Sequence, residues 1–342
     1  MSVLRFRQVA GLLPVLLLTV FLAACASAPE TVVTPVQSPN DDKAYRLLTL
    51  ENQMQVLLIS DPETPKAAAA LDVHVGSGDN PEGRGGLAHF LEHMLFLGTD
   101  KYPDAAEYEE FITEHGGNRN AYTSFEHTNY FFDVNAEHLP ESLDRFAQFF
   151  ISPRFDAEYV EREMNAVEAE YQMGLKSDPR RGLDVLQEIM NPEHPFSQFS
   201  VGSLETLADR PGATIRDDLL AFYDRHYSAN VMTLVVLGSQ SLDELEALVK
   251  PMFAPVPSRD FSHGDIAAPI FRDEDVPMLV KIKPQATRKT LQVLFPVADY
   301  REDYSAKPGM YVAGLVGHEG EGSLLSRLKG EGLAESLAAS SG

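Results

Sequence analysis

The sequence predicts an α+β fold: a mixed or antiparallel sheet covered by a layer of helices, followed by the start of a second, related domain. Three observations predict it. Strand-like alternation fills residues 45–76 and 119–134, a block of helical periodicity follows from 139 to 226, and a strong strand (VMTLVVLGS) closes the block at 230–238. The 342 residues are enough for two domains, and 44% are apolar, enough for a sizeable core.

The elements follow in order. Residues 45–60 alternate as two strands turning at Glu51-Asn52, and 67–76 form a third. A Gly-rich loop spans 76–86, and a helix fits 86–97 with Gly98 as its stop. A second helix fits 104–115, opened by Pro103-Asp104 and closed by Gly116-Gly117. Residues 119–134, rich in Thr, Tyr and Phe, read as a hairpin. Helices fit 139–150, 157–176, 180–190 and 213–226. A Pro-rich linker at 252–276 leads to strand-like runs at 279–284 and 290–296 and to helices at 306–317 and 322–330. The domains expected are thus an N-terminal domain at 43–260, then linker and a truncated second domain at 261–342, which is short for a domain with its own core.

The chain begins as an exported one would. Arg5 and Arg7 precede 16 uncharged residues, 9–24, which end Leu22-Ala23-Ala24 before Cys25, the single cysteine. This resembles a bacterial lipobox, with a signal peptide at 1–25 and lipidation at Cys25. Residues 26–42, rich in Pro, Ser, Thr and Asp, read as a flexible spacer. Ala26 carries no acidic retention signal, so the resemblance implies an outer-membrane lipoprotein facing the periplasm. The net charge of −23 excludes a nucleic-acid partner, because phosphate binding needs clustered basic residues.

His89-Phe90-Leu91-Glu92-His93 carries the chemistry. On a helix, positions four apart share a face, so two imidazoles can point at one ion, with Glu92 beside them. Zinc suits two imidazoles plus a carboxylate and leaves one position for water, whose proton Glu92 would take and pass to a leaving amine. Two histidines and a glutamate near the buried side of so apolar a helix are costly unless something pairs them. Candidates for a third ligand lie on the helix at 157–176. Glu163 and Glu170, seven apart, share a stripe with Val167 and Gly174, whereas Glu161 and Glu168 lie with Asn165 and Gln172 on what reads as a solvated face. Of Glu163 and Glu170, one can bind the metal and the other can hold a ligand in place.

With these residues in hand, the chain resembles the pitrilysin and insulin-degrading-enzyme family of zinc metallopeptidases from about residue 45 onward. The blocks 83–99 (GRGGLAHFLEHMLFLGT), 118–134 (NRNAYTSFEHTNYFFDV) and 196–207 (FSQFSVGSLETL) carry the resemblance. It implies that Glu170, 77 residues after His93, is the third ligand and that Glu163 is the supporting acid. It further implies that Asn120, Ala121 and Tyr122 lie on an edge strand that pairs with substrate backbone, and that Tyr122 and Phe96 line a pocket for an apolar side chain. Gly317-His318-Glu319-Gly320 resembles the region that holds a peptide's N-terminus. The function implied is a zinc endopeptidase acting on peptides or unfolded segments in the cell envelope. The alternative is a catalytically weak, peptide-binding half-shell that needs a C-terminal half or a partner subunit.

Overall fold

The computed structural model describes residues 35–341 except 288. The lipobox with Cys25 and the first part of the spacer lie outside the described residues. Two compact units are present, one reaching to Gln285 and one from Ala286.

The first unit is built on six strands: β1 (Ala44–Thr49), β2 (Gln55–Ser60), β3 (Lys66–Val73), β4 (Asn118–Thr123), β5 (Thr128–Asn135) and β6 (Met232–Gly238). Their order in the sheet is β1-β2-β6-β3-β5-β4. All neighbours are antiparallel except β2 and β6, which run parallel, so the sheet is mixed, as expected. Strand β4 is an edge.

Alternation decides which face is covered. Ala67, Ala69, Leu71 and Val73 of β3 are buried, with Tyr130, Phe132 and Val134 of β5 and Met232, Leu234 and Val236 of β6. Helix α3 (Leu139–Ile151) lays Phe146, Phe149 and Phe150 on this face. Phe146 meets Phe132 edge-on with ring centroids 5.3 Å apart, and Phe150 meets Tyr130 at 5.6 Å. Such edge-to-face pairs add to the burial of the rings themselves.

The remaining helices of this unit are α1 (Leu87–Leu95), α2 (Glu107–Glu114), α4 (Ala157–Gly174), α5 (Asp178–Ile189), α6 (Ile215–His226) and α7 (Leu242–Phe253). Helix α7 was not foreseen, although its start is written in the sequence. Ser241 Oγ accepts from Glu244 N, and Glu244 Oε2 accepts from Ser241 N at 2.9 Å, a reciprocal capping box. Its Leu245, Val249 and Phe253 are buried in the core.

In the second unit, α8 (Pro308–Val316) and α9 (Leu324–Gly330) sit where helices were expected. The strands expected at 279–284 and 290–296 are absent: both stretches lack regular structure, and Leu279, Leu291 and Phe295 are 78–85% exposed. Apolar alternation makes a strand only when another strand takes its backbone groups, and none does so among the described residues. Among the described residues no helix is long and apolar enough to cross a membrane.

His226 at the end of α6 is buried against Phe222 and Phe261. Burial disfavours the imidazolium and holds its pKa down to about 4. The unfolded chain's imidazole gains its proton near pH 6.5, the folded one only near 4, so stability should fall as pH drops through that window. The expected loss is about 2 kcal/mol, after allowance for solvent screening. Urea titrations at pH 7 and 4.5, in the presence of a chelator, should show a smaller drop for His226→Gln than for the wild type. Equal drops would remove His226 as the cause.

Candidate metal centre

Helix α1 begins where the chain can approach another backbone. Its N-cap, Gly86, has φ +89°, and a Cβ there would meet Gly202 Cα at 2.2 Å. Gly202, at φ +94°, faces Val167 of α4 and Leu207. Only glycines permit both the left-handed conformation and this contact. Asn80 Oδ1 accepts from Ala88 N at 2.8 Å and satisfies one free donor of the helix's first turn. The preceding loop is tied down by Arg84, 1% exposed, which donates to Asp218 of α6 at 2.6 Å and to the carbonyls of Thr206 and Ala208. Phe90, Leu91, Met94 and Leu95 are buried beneath the helix.

This packing sets α1 against α4 and brings three side chains to a common point. Ligand atoms of His89, His93 and Glu170 all lie within 4.8 Å of one another. His89 Nε2 is 3.5 Å from Glu170 Oε2, and His93 Nε2 is 3.6 Å from Glu170 Oε1. The two rings are perpendicular, with centroids 4.8 Å apart. The outer nitrogens are occupied. His89 Nδ1 lies 2.7 Å from Val201 O, which can only accept, so Nδ1 carries the proton and Nε2 presents its lone pair inward. His93 Nδ1 faces Glu163 Oε2 at 3.5 Å. Two imidazoles oriented from behind by a carbonyl and a carboxylate, with a second carboxylate opposite, fit the donor set that zinc takes at a site with an open position.

The charges agree with this arrangement. Burial opposes a proton on His93, but Glu163, Glu170 and Glu92 outweigh it and raise its pKa. Burial likewise pushes Glu163 up, and His93 and Arg162 more than compensate, so its pKa is lowered. Glu92 is 8% exposed, and burial raises its pKa against the hydrogen bond from Thr123 and the nearby His89 and His93.

The structure thus joins His89, Glu92, His93, Glu163 and Glu170. The stripe reading of α4 holds in its main point: Val167 and Gly174 are the helix's buried residues, flanked by the two glutamates. Glu168 departs from it. Its Oε2 accepts from Leu204 N at 2.8 Å, so it braces the segment carrying Val201 and Gly202 instead of only facing water. Asn120, Ala121 and Tyr122 lie on the edge strand β4, with Tyr122 52% exposed. Phe96 instead sits among Tyr108, Tyr130 and Phe149, with the Arg119 guanidinium 4.7 Å above its ring; no ring contact joins it to Tyr122 among the described residues. His318 lies in the second unit, where its Nδ1 accepts from Gly320 N at 3.1 Å. Sequence reasoning assigned no role to Thr123, Arg180, Ser200 or Val201, which line a cavity of ≈ 160 Å³ with His89 and Glu170. Ser200 and Val201 fall inside the quoted block 196–207, the one signal that pointed to them.

The fold and the inverted His-x-x-Glu-His helix, with Glu170 opposite, define a metallopeptidase-type centre. Comparison with known proteins places it further. Residues 55–195 match the profile described as insulinase (peptidase family M16), and residues 214–342 match that of the M16 inactive domain. The chain belongs to the insulinase family. It is 47% identical over 304 residues to human insulin-degrading enzyme, covering 88% of this chain and 30% of that protein. It is 41% identical over 302 residues to the A-factor-processing enzyme of Saccharomyces cerevisiae, covering 87% and 29%. The crystal structure of pitrilysin superposes with a TM-score of 0.81 at 35% identity, covering 92% of this chain and 34% of that one. The chain therefore spans about a third of the length of the relatives it matches.

Two outcomes follow from the geometry. Glu163→Gln should keep the fold and weaken zinc binding about 10- to 100-fold, read by competition with a zinc indicator; unchanged affinity would deny it the orienting role. Gly86→Ala should lower stability by about 2–4 kcal/mol and weaken zinc binding with it, because the new methyl meets backbone at an unfavourable φ. A variant with wild-type melting and affinity would show that the glycine contact is dispensable.

Proposed function

We propose that the chain is the zinc-binding N-terminal part of an endopeptidase that hydrolyses peptides or unfolded segments. The observation that carries this reading is the convergence of His89, His93 and Glu170 within 4.8 Å, with Glu92 buried beside them. His89 Nε2, His93 Nε2 and a Glu170 carboxylate oxygen would hold the ion. Zinc, when bound, supplies Lewis acidity toward a carbonyl oxygen and toward water. Glu92 is placed to take a proton and hand it to the departing amine; burial has already raised its pKa toward the range where a carboxylate can do both. Glu163 keeps His93 turned inward. The free edge of β4 can accept an extended peptide as an added strand, with Asn120, Ala121 and Tyr122 alongside it; main-chain bonds then give affinity without a narrow sequence preference.

The family profiles support a peptidase, and the names of the relatives agree in kind: one is called an insulin-degrading enzyme and another an A-factor-processing enzyme. The decisive assay pairs metal analysis with a fluorogenic peptide. Glu92→Gln should bind zinc as the wild type does and lose turnover by at least about 100-fold, the span of a general acid–base contribution. A chelator should abolish turnover in the wild type, and added zinc should restore it. A fully active Glu92→Gln would end the assignment.

We also propose that the protein works in the cell envelope, held by a lipid at Cys25. The support is the run of residues 1–25 in the sequence. Labelled palmitate should enter the wild-type protein and not Cys25→Ser in the bacterial host; equal labelling would sink this localisation.

A further inference from the structure

Thr123 is the last residue of β4, and its side chain reaches α1. Its hydroxyl donates to Glu92 Oε2 at 2.6 Å, the one hydrogen bond to the Glu92 carboxylate found among the described residues. Glu92 can only accept while ionised, so the hydroxyl's rotor is settled, and a donor this close to a carboxylate makes a short, charge-assisted bond. Without it, the last torsion of a glutamate side chain sits in a broad, roughly two-fold well.

The hydroxyl is itself held on a rigid support. Thr123 pairs with Thr128 across the hairpin, and Thr128, fully buried, donates to Val75 O at 2.9 Å. The turn beyond Thr123 is pinned from the other side. Ser77 N donates to Ser124 O and Gly78 N to Phe125 O, both at 2.8 Å. Gly76 leaves no room for slack there, since a Cβ on it would lie 2.4 Å from Ser124 O. A support locked in this way holds a second group's geometry far better than an exposed loop can.

We propose that Thr123 is a positioning residue for proton transfer: its hydroxyl fixes Oε2 of Glu92 and leaves Oε1 for the reacting groups. This rests on the peptidase reading and deepens it. Thr123 is continuous with residues 120–122, so one strand would set both the register of a bound peptide and the orientation of the carboxylate that serves it. A peptide added to β4 out of register would then meet a base aimed at the wrong atom.

The test uses Thr123→Val, which keeps the shape and deletes the hydroxyl, and Thr123→Ser, which keeps the hydroxyl. On the zinc-loaded chain, Thr123→Val should lower kcat about 10- to 100-fold, with KM, zinc content and melting temperature little changed. Thr123→Ser should restore kcat. Wild-type kcat in Thr123→Val, or a Thr123→Ser as slow as Thr123→Val, would overturn the proposal; so would a loss of zinc or of stability that accounts for the slower rate. Crystal structures of the zinc-free variants give a readout independent of turnover. The Glu92 carboxylate should occupy one orientation in the wild type and Thr123→Ser and more than one in Thr123→Val. A single, unchanged orientation in Thr123→Val overturns the role even if the chain hydrolyses no peptide, a result that would by itself count only against the peptidase reading.

Discussion

The close approach of Gly86 to Gly202 is the constraint on which the rest depends. A side chain on Gly86 would hold α1 away from the segment that carries Val201, and one on Gly202 would press on Val167 of α4 and on Leu207. Three consequences follow from that one contact. Val201 O comes within reach of His89 Nδ1, Glu163 comes behind His93, and Glu170 comes opposite both inner nitrogens. The orientation of the imidazoles is therefore not a property of α1 alone. It is imposed by main chain and carboxylates that the backbone contact brings close, and ligands fixed before the metal arrives need less reordering to bind it.

Burial around the centre is balanced rather than uniform. Glu92 lies deepest of the acids and its pKa rises, while Glu163, beside His93 and Arg162, is held down. Carboxylates of the same chemical type are thereby driven to different tasks by their surroundings, one toward moving protons and one toward staying charged. The chain's large negative charge has no direct part in this, because short-range partners and desolvation outweigh distant charges screened by salt.

Much of this was legible in the sequence because periodicity and chemistry agreed. His89 and His93 are one turn apart on an apolar helix, and Val167 and Gly174 mark the inward side of α4, so Glu163 and Glu170 could be separated from Glu161 before any coordinates. What stayed hidden was of a different kind. Val201 acts through a carbonyl, which every residue has, and Thr123 through a hydroxyl whose partner is 31 positions away. Neither leaves a periodic trace. Helix α7 was hidden for a simpler reason: its Ser241–Glu244 capping box lay unread beside a Pro-rich stretch. The alternation at 279–284 and 290–296 misled in the other direction, since it records only that a strand could form if another were there to pair with it.

The order of the sheet has a consequence for how the domain comes into being. Strand β6 lies between β2 and β3, pairing Leu57 with Val235 on one side and Ala70 with the same Val235 on the other. Everything that builds the metal centre, from α1 to α4, is threaded between β3 and β6 in the chain. Until β6 has been inserted, β2 and β3 have no shared neighbour, and their inner edges lie open to other chains. The loop that must close is long, and contacts of such separation form late and slowly. Folding chains of this protein should thus pass through an aggregation-prone interval that ends only when a strand from far downstream is inserted, which is the stage at which a chaperone would find most to hold.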